Sequence, residues 1–178
     1  MMQYTTTYSS PLGEILLAGN NVGLTGLWFE SNQYYPESLD FKHKQKNFPV
    51  FALVKKWLDI YFSGKEPDFM PPIHMIGSTF ELSVWKILQK ISYGKTTTYG
   101  EIAKHIAIER KLAGMSAQAV GRAVGHNAIS IIIPCHRVVG KNGSLTGYAG
   151  GINKKRALLT LEGVNMTRLF VPTKGTAL

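Results

Sequence analysis

The chain has 178 residues, 44% hydrophobic and 17% charged, with a net charge of +9 and one cysteine. That balance excludes general disorder, and a chain of this length buries roughly 70% of its extended surface; the lone cysteine excludes an internal disulfide and a Cys-x-x-Cys zinc site. The aliphatic run Ile131-Ile132-Ile133 is far too short to span a bilayer, and Met1-Met2-Gln3-Tyr4 carries neither the basic nor the apolar part of a signal peptide, so a reduced, soluble, cytoplasmic protein is expected.

Charge is unevenly placed. Residues 1–80 hold six Lys/Arg against seven Asp/Glu, net −1, while residues 81–178 hold fourteen against four, net +10. A neutral half joined to a basic half nominates a polyanion partner, with a solvated basic face as the alternative.

In chain order, Tyr4 to Tyr8, Glu14 to Ala18 and Leu24 to Phe29 read as strands of a meander, separated by Pro11-Leu12-Gly13 and Gly19-Asn20-Asn21. Residues 31–47 read as polar loop. Pro49 opens a helix whose Val50, Leu53, Val54, Trp57, Leu58 and Tyr61 share one face, and Ser63-Gly64 closes it. That stripe, aromatic residues included, is what packing on a sheet requires.

A polar, proline-bearing linker from Gly64 to Pro72 leads to a different texture. Ser78-Thr79-Phe80-Glu81 is a capping-box pattern before Val84, Trp85, Leu88 and Ile91 at helical spacing, with Gly94 expected to end the helix. Thr98-Tyr99-Gly100-Glu101 is a second capping box, opening a helix through Ile102, Ala103 and Ile106. After a loop near 108–115, Ser116 can cap a third helix with Val120, Ala123 and Val124 buried. Two short helices in a basic half are similar to a helix-turn-helix, a weak signal alone. The third helix is slim: Gln118, Arg122 and His126 are its only large polar side chains. Close helix packing explains that as readily as approach to a nucleic-acid backbone or groove.

The cysteine lies in Ile133-Pro134-Cys135-His136-Arg137-Val138. A lone cysteine is usually inert packing, but here a base and a cation adjoin the sulfur. Both neighbours are expected to favour the thiolate, lowering the pKa from ~8.5. A Cys–His pair serves nucleophilic catalysis when a third polar group orients the imidazole, and Glu162 in Leu161-Glu162-Gly163 is the only acid after the cysteine. Lys154-Lys155-Arg156 place three cations where a helix dipole opposes them, which suits phosphate contact or a solvated face. His43, His74, His105 and His126 have no metal-ligand spacing.

Pro134-Cys135-His136-Arg137-Val138 resembles the signature of the O6-alkylguanine-DNA alkyltransferases, the methylated-DNA–protein-cysteine methyltransferases. The likeness extends to Asn127 eight residues upstream, Tyr99 at the head of the first helix of the helix-turn-helix, Gly147-Tyr148-Ala149-Gly150-Gly151 and Leu161-Glu162-Gly163. It implies an α+β chain: a small RNase H-like sheet domain with a helix over 1–78, then a helical domain containing the helix-turn-helix over 79–178. It implies a DNA repair protein, a monomer without metal or cofactor. Such a protein flips O6-alkylguanine, and O4-alkylthymine, out of duplex DNA and moves the alkyl group irreversibly to Cys135, once per molecule.

The same resemblance implies roles. Glu162 would orient His136, which through a water would take the Cys135 proton; the Tyr99 hydroxyl would serve guanine N3. The carbonyls of Cys135 and Val138 would accept from the exocyclic amine. Asn127 would hold the turn before the cysteine, Tyr148 would wall the alkyl pocket, and Ala149 stands where many relatives have Ser, leaving its backbone N–H to donate to O6. Arg137, Arg122 and Gln118 are expected among the residues that bind substrate or DNA. Gln118 departs from the pattern, since most relatives place there an arginine that fills the gap left by the flipped base. A non-catalytic alkyl-lesion-binding protein is the main alternative, and Cys135 argues against it because such relatives replace the cysteine. A Cys–His hydrolase would leave the basic half unexplained.

Overall fold

The structure is a computed structural model that describes residues 1–30, 39 and 43–173. The chain forms two units, the first comprising Met1–Ile76 together with Ala128–Ser130, the second Gly77–Asn127 and Ile131–Leu178.

In the first unit, β1 (Gln3–Ser10), β2 (Gly13–Gly19), β3 (Leu24–Phe29) and β4 (His43–Gln45) form a sheet in the order β3-β2-β1-β4. The two hairpin pairings are antiparallel and β1·β4 is parallel. Most of the expected 31–47 loop lies outside the described residues, but β4 within it is a strand. Helix α1 (Pro49–Phe62) begins at its proline and lays Val50, Phe51, Val54, Trp57, Leu58 and Tyr61 on the sheet. A methyl group on Gly19 would lie only 3.0 Å from Val50 Cγ1, so the contact is close. Leu53, expected on the buried face, is 44% exposed.

The outer edge of β3 is covered by two short parallel pieces. Leu24 N–H donates to Pro72 O and His74 N–H to Leu24 O, at 2.9 and 2.7 Å; further along, Leu27 N–H donates to Ala128 O and Ser130 N–H to Leu27 O, at 2.8 and 3.0 Å. An edge left open would expose unpaired donors and acceptors. The second piece comes from far along the chain, between Asn127 and the cysteine.

In the second unit, α2 (Thr79–Leu88), α3 (Tyr99–Glu109) and α4 (Ala117–Gly125) pack on one another, while α5 (Ile152–Leu161) packs against the 3-10 turn at Cys135–Arg137. Both capping boxes form, Ser78 with Glu81 and Thr98 with Glu101, and Ser116 caps α4. Val84, Trp85, Leu88, Ile102, Ile106, Val120 and Val124 are buried, and Trp85 Nε1 donates to Ala123 O at 2.7 Å. Helix α2 stops at Leu88, short of Gly94. The chain tightens into turns there, freeing the Ile91 carbonyl and the Gly94 amide for other partners. Among the described residues no helix is long and apolar enough to cross a membrane.

Candidate active site

Two strands of two residues each set the frame. β5 (Thr97–Thr98) runs parallel to β6 (Val138–Val139), with Thr97 opposite Val138 and Thr98 opposite Val139. Tyr99 leaves β5 into α3, and the 3-10 turn Cys135–Arg137 leads into β6. One small ladder therefore brings the tyrosine to the neighbourhood of the cysteine. Ile131, a β-branched residue at φ +67°, turns the chain toward that turn, in a region such residues rarely occupy.

The free thiol of Cys135 is buried. Asn127, just past the end of α4, donates from Nδ2 to Ile133 O at 2.8 Å and to Cys135 Sγ at 3.2 Å. The expected turn-holding asparagine thus also touches the sulfur. Burial pushes the Cys135 thiol up, while the Asn127 hydrogen bond, the Lys155 charge and local backbone amides pull the other way. The expectation that His136 and Arg137 would lower it through their charge is not met, because both side chains turn to Glu162.

Glu162 caps the C-terminus of α5 and is buried. Its Oε1 lies 2.7 Å from His136 Nε2 and accepts from Arg137 Nη2 at 3.0 Å; its Oε2 accepts from Arg137 Nε at 2.9 Å and from the Gly94 amide at 3.1 Å. Gly94 has φ +70°, and a Cβ there would lie 2.9 Å from the Glu162 carbonyl, so glycine is needed for this approach. Burial alone would raise the Glu162 carboxyl, but the hydrogen bonds and charges of His136 and Arg137 hold it at about 2. Burial lowers His136 despite its carboxylate partner, favouring neutral imidazole. A carboxylate only accepts, so Nε2 carries the hydrogen and Nδ1 is the nitrogen able to take a proton.

Arg137 is therefore part of the interior. Besides gripping Glu162 it donates to the Ile91 carbonyl and stacks its guanidinium 5.6 Å from the Tyr93 ring centre. This buried place differs from the substrate- or DNA-contacting one that the sequence leads one to expect.

In the sequence Lys155 is one of three like cations, Lys154-Lys155-Arg156. The structure separates them: Arg156 is exposed, Lys154 half-buried, and Lys155 fully buried. Its Nζ donates to Thr146 O at 2.7 Å and lies 6.0 Å from the Tyr99 ring centre. Burial drags the ammonium down to about 8, and the nearby Cys135 opposes that fall. One signal did exist. Lys155 lies three and four residues before the buried Leu158 and Leu159, on their face of the helix.

The Tyr99 hydroxyl donates to the carbonyls of Thr146, at 3.1 Å, and Gly147, at 3.3 Å. Burial and the Cys135 charge keep the phenol protonated well above its ordinary range. Tyr148 is buried with its ring 6.5 Å from that of His136 in an edge-on arrangement, and Ala149 is half-buried beside it. Val138 is buried in β6. Gln118 and Arg122 lie exposed on α4, away from its buried face. Gly121 on the same helix faces the Tyr99 ring, with room for a methyl group at 3.8 Å. His126 pairs with Glu81 at 2.8 Å and His74 bonds Asn20. No group of three or more His, Cys, Asp or Glu among the described residues could hold a metal ion.

Comparison with known proteins matches residues 3–75 to the ribonuclease-like domain and residues 79–164 to the DNA binding domain of 6-O-methylguanine DNA methyltransferase. A methylated-DNA–protein-cysteine methyltransferase of Haemophilus influenzae is 41% identical over 162 residues, 90% of this chain and 87% of its own. One from Methanosarcina acetivorans is 42% identical over 160 residues, 90% and 98% of the two chains. A crystal structure of Mycobacterium tuberculosis OGT in complex with DNA shares 41% identity with a TM-score of 0.76, covering 91% of this chain and 92% of that one.

Proposed function

Since the chain belongs to the 6-O-methylguanine DNA methyltransferase family, we propose that the buried Cys135 is the atom on which its repair chemistry ends. The protein binds DNA and transfers the alkyl group of O6-alkylguanine to its own cysteine; with one cysteine in the chain, the acceptor is Cys135. O4-alkylthymine is the second lesion in this reading. The resulting thioether is not reversed, so each molecule acts once. A free thiol as acceptor needs a reducing compartment, and we assign the protein to the cytoplasm.

The Cys135 sulfur attacks the alkyl carbon in line with the C–O6 bond. An S–C bond forms, the C–O6 pair passes to guanine, and the guanine ring takes up a proton at N3. Neutral His136, oriented by Glu162, accepts the thiol proton through a water at Nδ1. Arg137 and the Gly94 amide keep Glu162 ionised, so the imidazolium formed meets a full negative charge. Asn127 and Lys155 stabilise the thiolate directly, by a hydrogen bond and a buried charge. Tyr99 gives its hydroxyl hydrogen bond to guanine N3 in place of the Thr146 carbonyl, and its proton follows as charge develops on the base. The carbonyls of Cys135 and Val138 select the exocyclic amine, the Ala149 N–H donates to O6, and Tyr148 walls the alkyl group.

The observation that carries this reading is the chain of contacts Asn127–Cys135 and His136–Glu162–Arg137 around one buried thiol. Incubation with duplex DNA containing O6-methylguanine tests it. Intact mass should rise by one methyl per molecule, mapped to the Cys135 peptide. Methyl groups elsewhere, or repeated turnover by one molecule, would refute it.

A further inference from the structure

Two groups of the site meet at one backbone carbonyl. Thr146 O receives both the Tyr99 hydroxyl and the Lys155 ammonium. The segment leading to it is fastened by residues that follow α5 in the chain. Past α5, Gly163 at φ +71° reverses the backbone, and a 3-10 turn at Met166–Arg168 brings the tail alongside residues 143–145. Leu145 N–H donates to Phe170 O at 2.8 Å, and Phe170 N–H donates to Gly143 O at 3.1 Å, a parallel bridge centred on Ser144 and Phe170. Below it Val139, Leu145 and Leu159 form a small core of their own, against which Val164, Met166 and Leu169 pack.

We infer that the tail from Val164 to Phe170 is a positioning element of the alkyl-transfer site, which locks the Thr146 carbonyl and through it the Tyr99 hydroxyl and the Lys155 ammonium. The lock is made by backbone bonds and by one required glycine. Gly143 has φ +87°, and a Cβ on it would lie 2.1 Å from the Arg168 carbonyl, so any side chain there must push the tail away. The Phe170 ring is half exposed and contributes little; its N–H and C=O are what matter. The inference rests on the alkyl-transfer reading of this site.

Phe170→Pro removes the N–H that reaches Gly143, Gly143→Ala displaces the tail, and Leu169→Ala loosens its packing without touching the backbone. Each is compared with wild type and with Phe170→Ala, which keeps both backbone bonds. The rate of S-alkylation by free O6-benzylguanine and by iodoacetamide is measured from pH 6 to 10, at a temperature where circular dichroism shows every variant folded. Displacing a catalytic group by an ångström costs up to about a hundredfold. We therefore expect Phe170→Pro and Gly143→Ala to react about tenfold more slowly with O6-benzylguanine, Leu169→Ala to fall between, and Phe170→Ala to keep nearly the wild-type rate. The pH profile of the iodoacetamide reaction should shift in the two slow variants, because Lys155 shares its surroundings with Cys135, Tyr99 and His136 and no longer holds its place. Unchanged profiles and rates in these variants would overturn the inference, as would losses in Phe170→Ala equal to those in Phe170→Pro. Wild type that takes no methyl group from O6-methylguanine duplex DNA would instead sink the alkyl-transfer reading itself, which keeps the two failures apart.

Discussion

Arg137 and Glu162 meet through two parallel N–H···O contacts of 2.9 and 3.0 Å, the fork of the guanidinium facing both carboxylate oxygens in a buried setting. The pair determines what Glu162 can do for His136, because a carboxylate gripped this way stays ionised while the imidazole changes charge. Breaking a buried pair by deleting one partner costs about 3–5 kcal/mol, so Arg137→Ala should melt much lower than wild type. Its DNA affinity should nevertheless show the wild-type salt dependence when measured below that melt. A flattened salt dependence would put Arg137 on phosphate after all.

Acid should expose the same pair. The Glu162 carboxyl lies at about 2 in the folded chain against ~4.3 unfolded. Its contribution to stability is therefore complete above the unfolded value and disappears as pH falls through the folded one. Denaturant unfolding between pH 6 and 2 should show this loss, and Glu162→Gln should remove that part of the pH dependence. The same variant should slow alkyl transfer, since an amide cannot balance an imidazolium.

Lys155 gives the opposite slope. Folded, it titrates at about 8; unfolded, near 10.4. Below pH 8 both states are protonated and the fold carries the full burden of a desolvated ammonium. Between about 8 and 10.4 the unfolded chain binds more protons, so stability rises with pH from this group. Lys155→Met should thus be more stable than wild type at pH 7, with the gap closing toward pH 10. It should also be a poorer acceptor. Losing the Lys155 charge removes one of the effects that hold the thiol down, so the thiolate fraction at pH 7 falls and slower alkylation by iodoacetamide is expected there.

The exposed cations carry the salt dependence in this reading. Arg122→Ala and Arg156→Ala should each reduce the slope of log K against log salt by about 0.9 if one phosphate contact is lost. An unchanged slope in Arg156→Ala would leave that end of α5 a solvated face.

Gln118 is exposed on α4, with Arg122 one turn later. Gln can hydrogen-bond an orphaned base but lacks the planar charged fork of Arg. Gln118→Arg should speed repair in duplex DNA and leave the reaction with free O6-benzylguanine nearly unchanged, because only the duplex requires flipping. Arg122→Ala should weaken duplex repair alone. Equal effects on both substrates would mean that these residues act through the cysteine pocket.

Features made by neighbours in sequence were legible. Ser78–Glu81 and Thr98–Glu101 each span a single helical turn, and their capping bonds need nothing distant. The Cys–His pair and its acid were legible as residue types at a familiar spacing. Three things were not. Lys155 sits among like charges, and charge is ordinarily a surface mark; only its phase with Leu158 and Leu159 betrayed it. Arg137 lies two residues past the cysteine, but its partner Glu162 stands 25 residues further on, at the end of α5, and no local pattern marks that pairing. The carbonyls of Thr146 and Ile91 and the amide of Gly94 are backbone groups, which no residue letter distinguishes.

The three residues Ala128–Ser130 have a consequence for anyone who would cut this protein into modules. They belong to the sheet unit by their bonds to Leu27, yet their neighbours in the chain are Asn127, which touches the sulfur, and Ile131, which bends toward it. No single cut near residue 76 separates the two units. A fragment starting at Gly77 keeps the cysteine but loses the backbone partners of the stretch just upstream. A graft of the helical unit onto a foreign sheet would need a β3-like edge with its donor and acceptor in register for that stretch. The helical unit can therefore be exchanged as a sequence only together with a partner for this one short bridge.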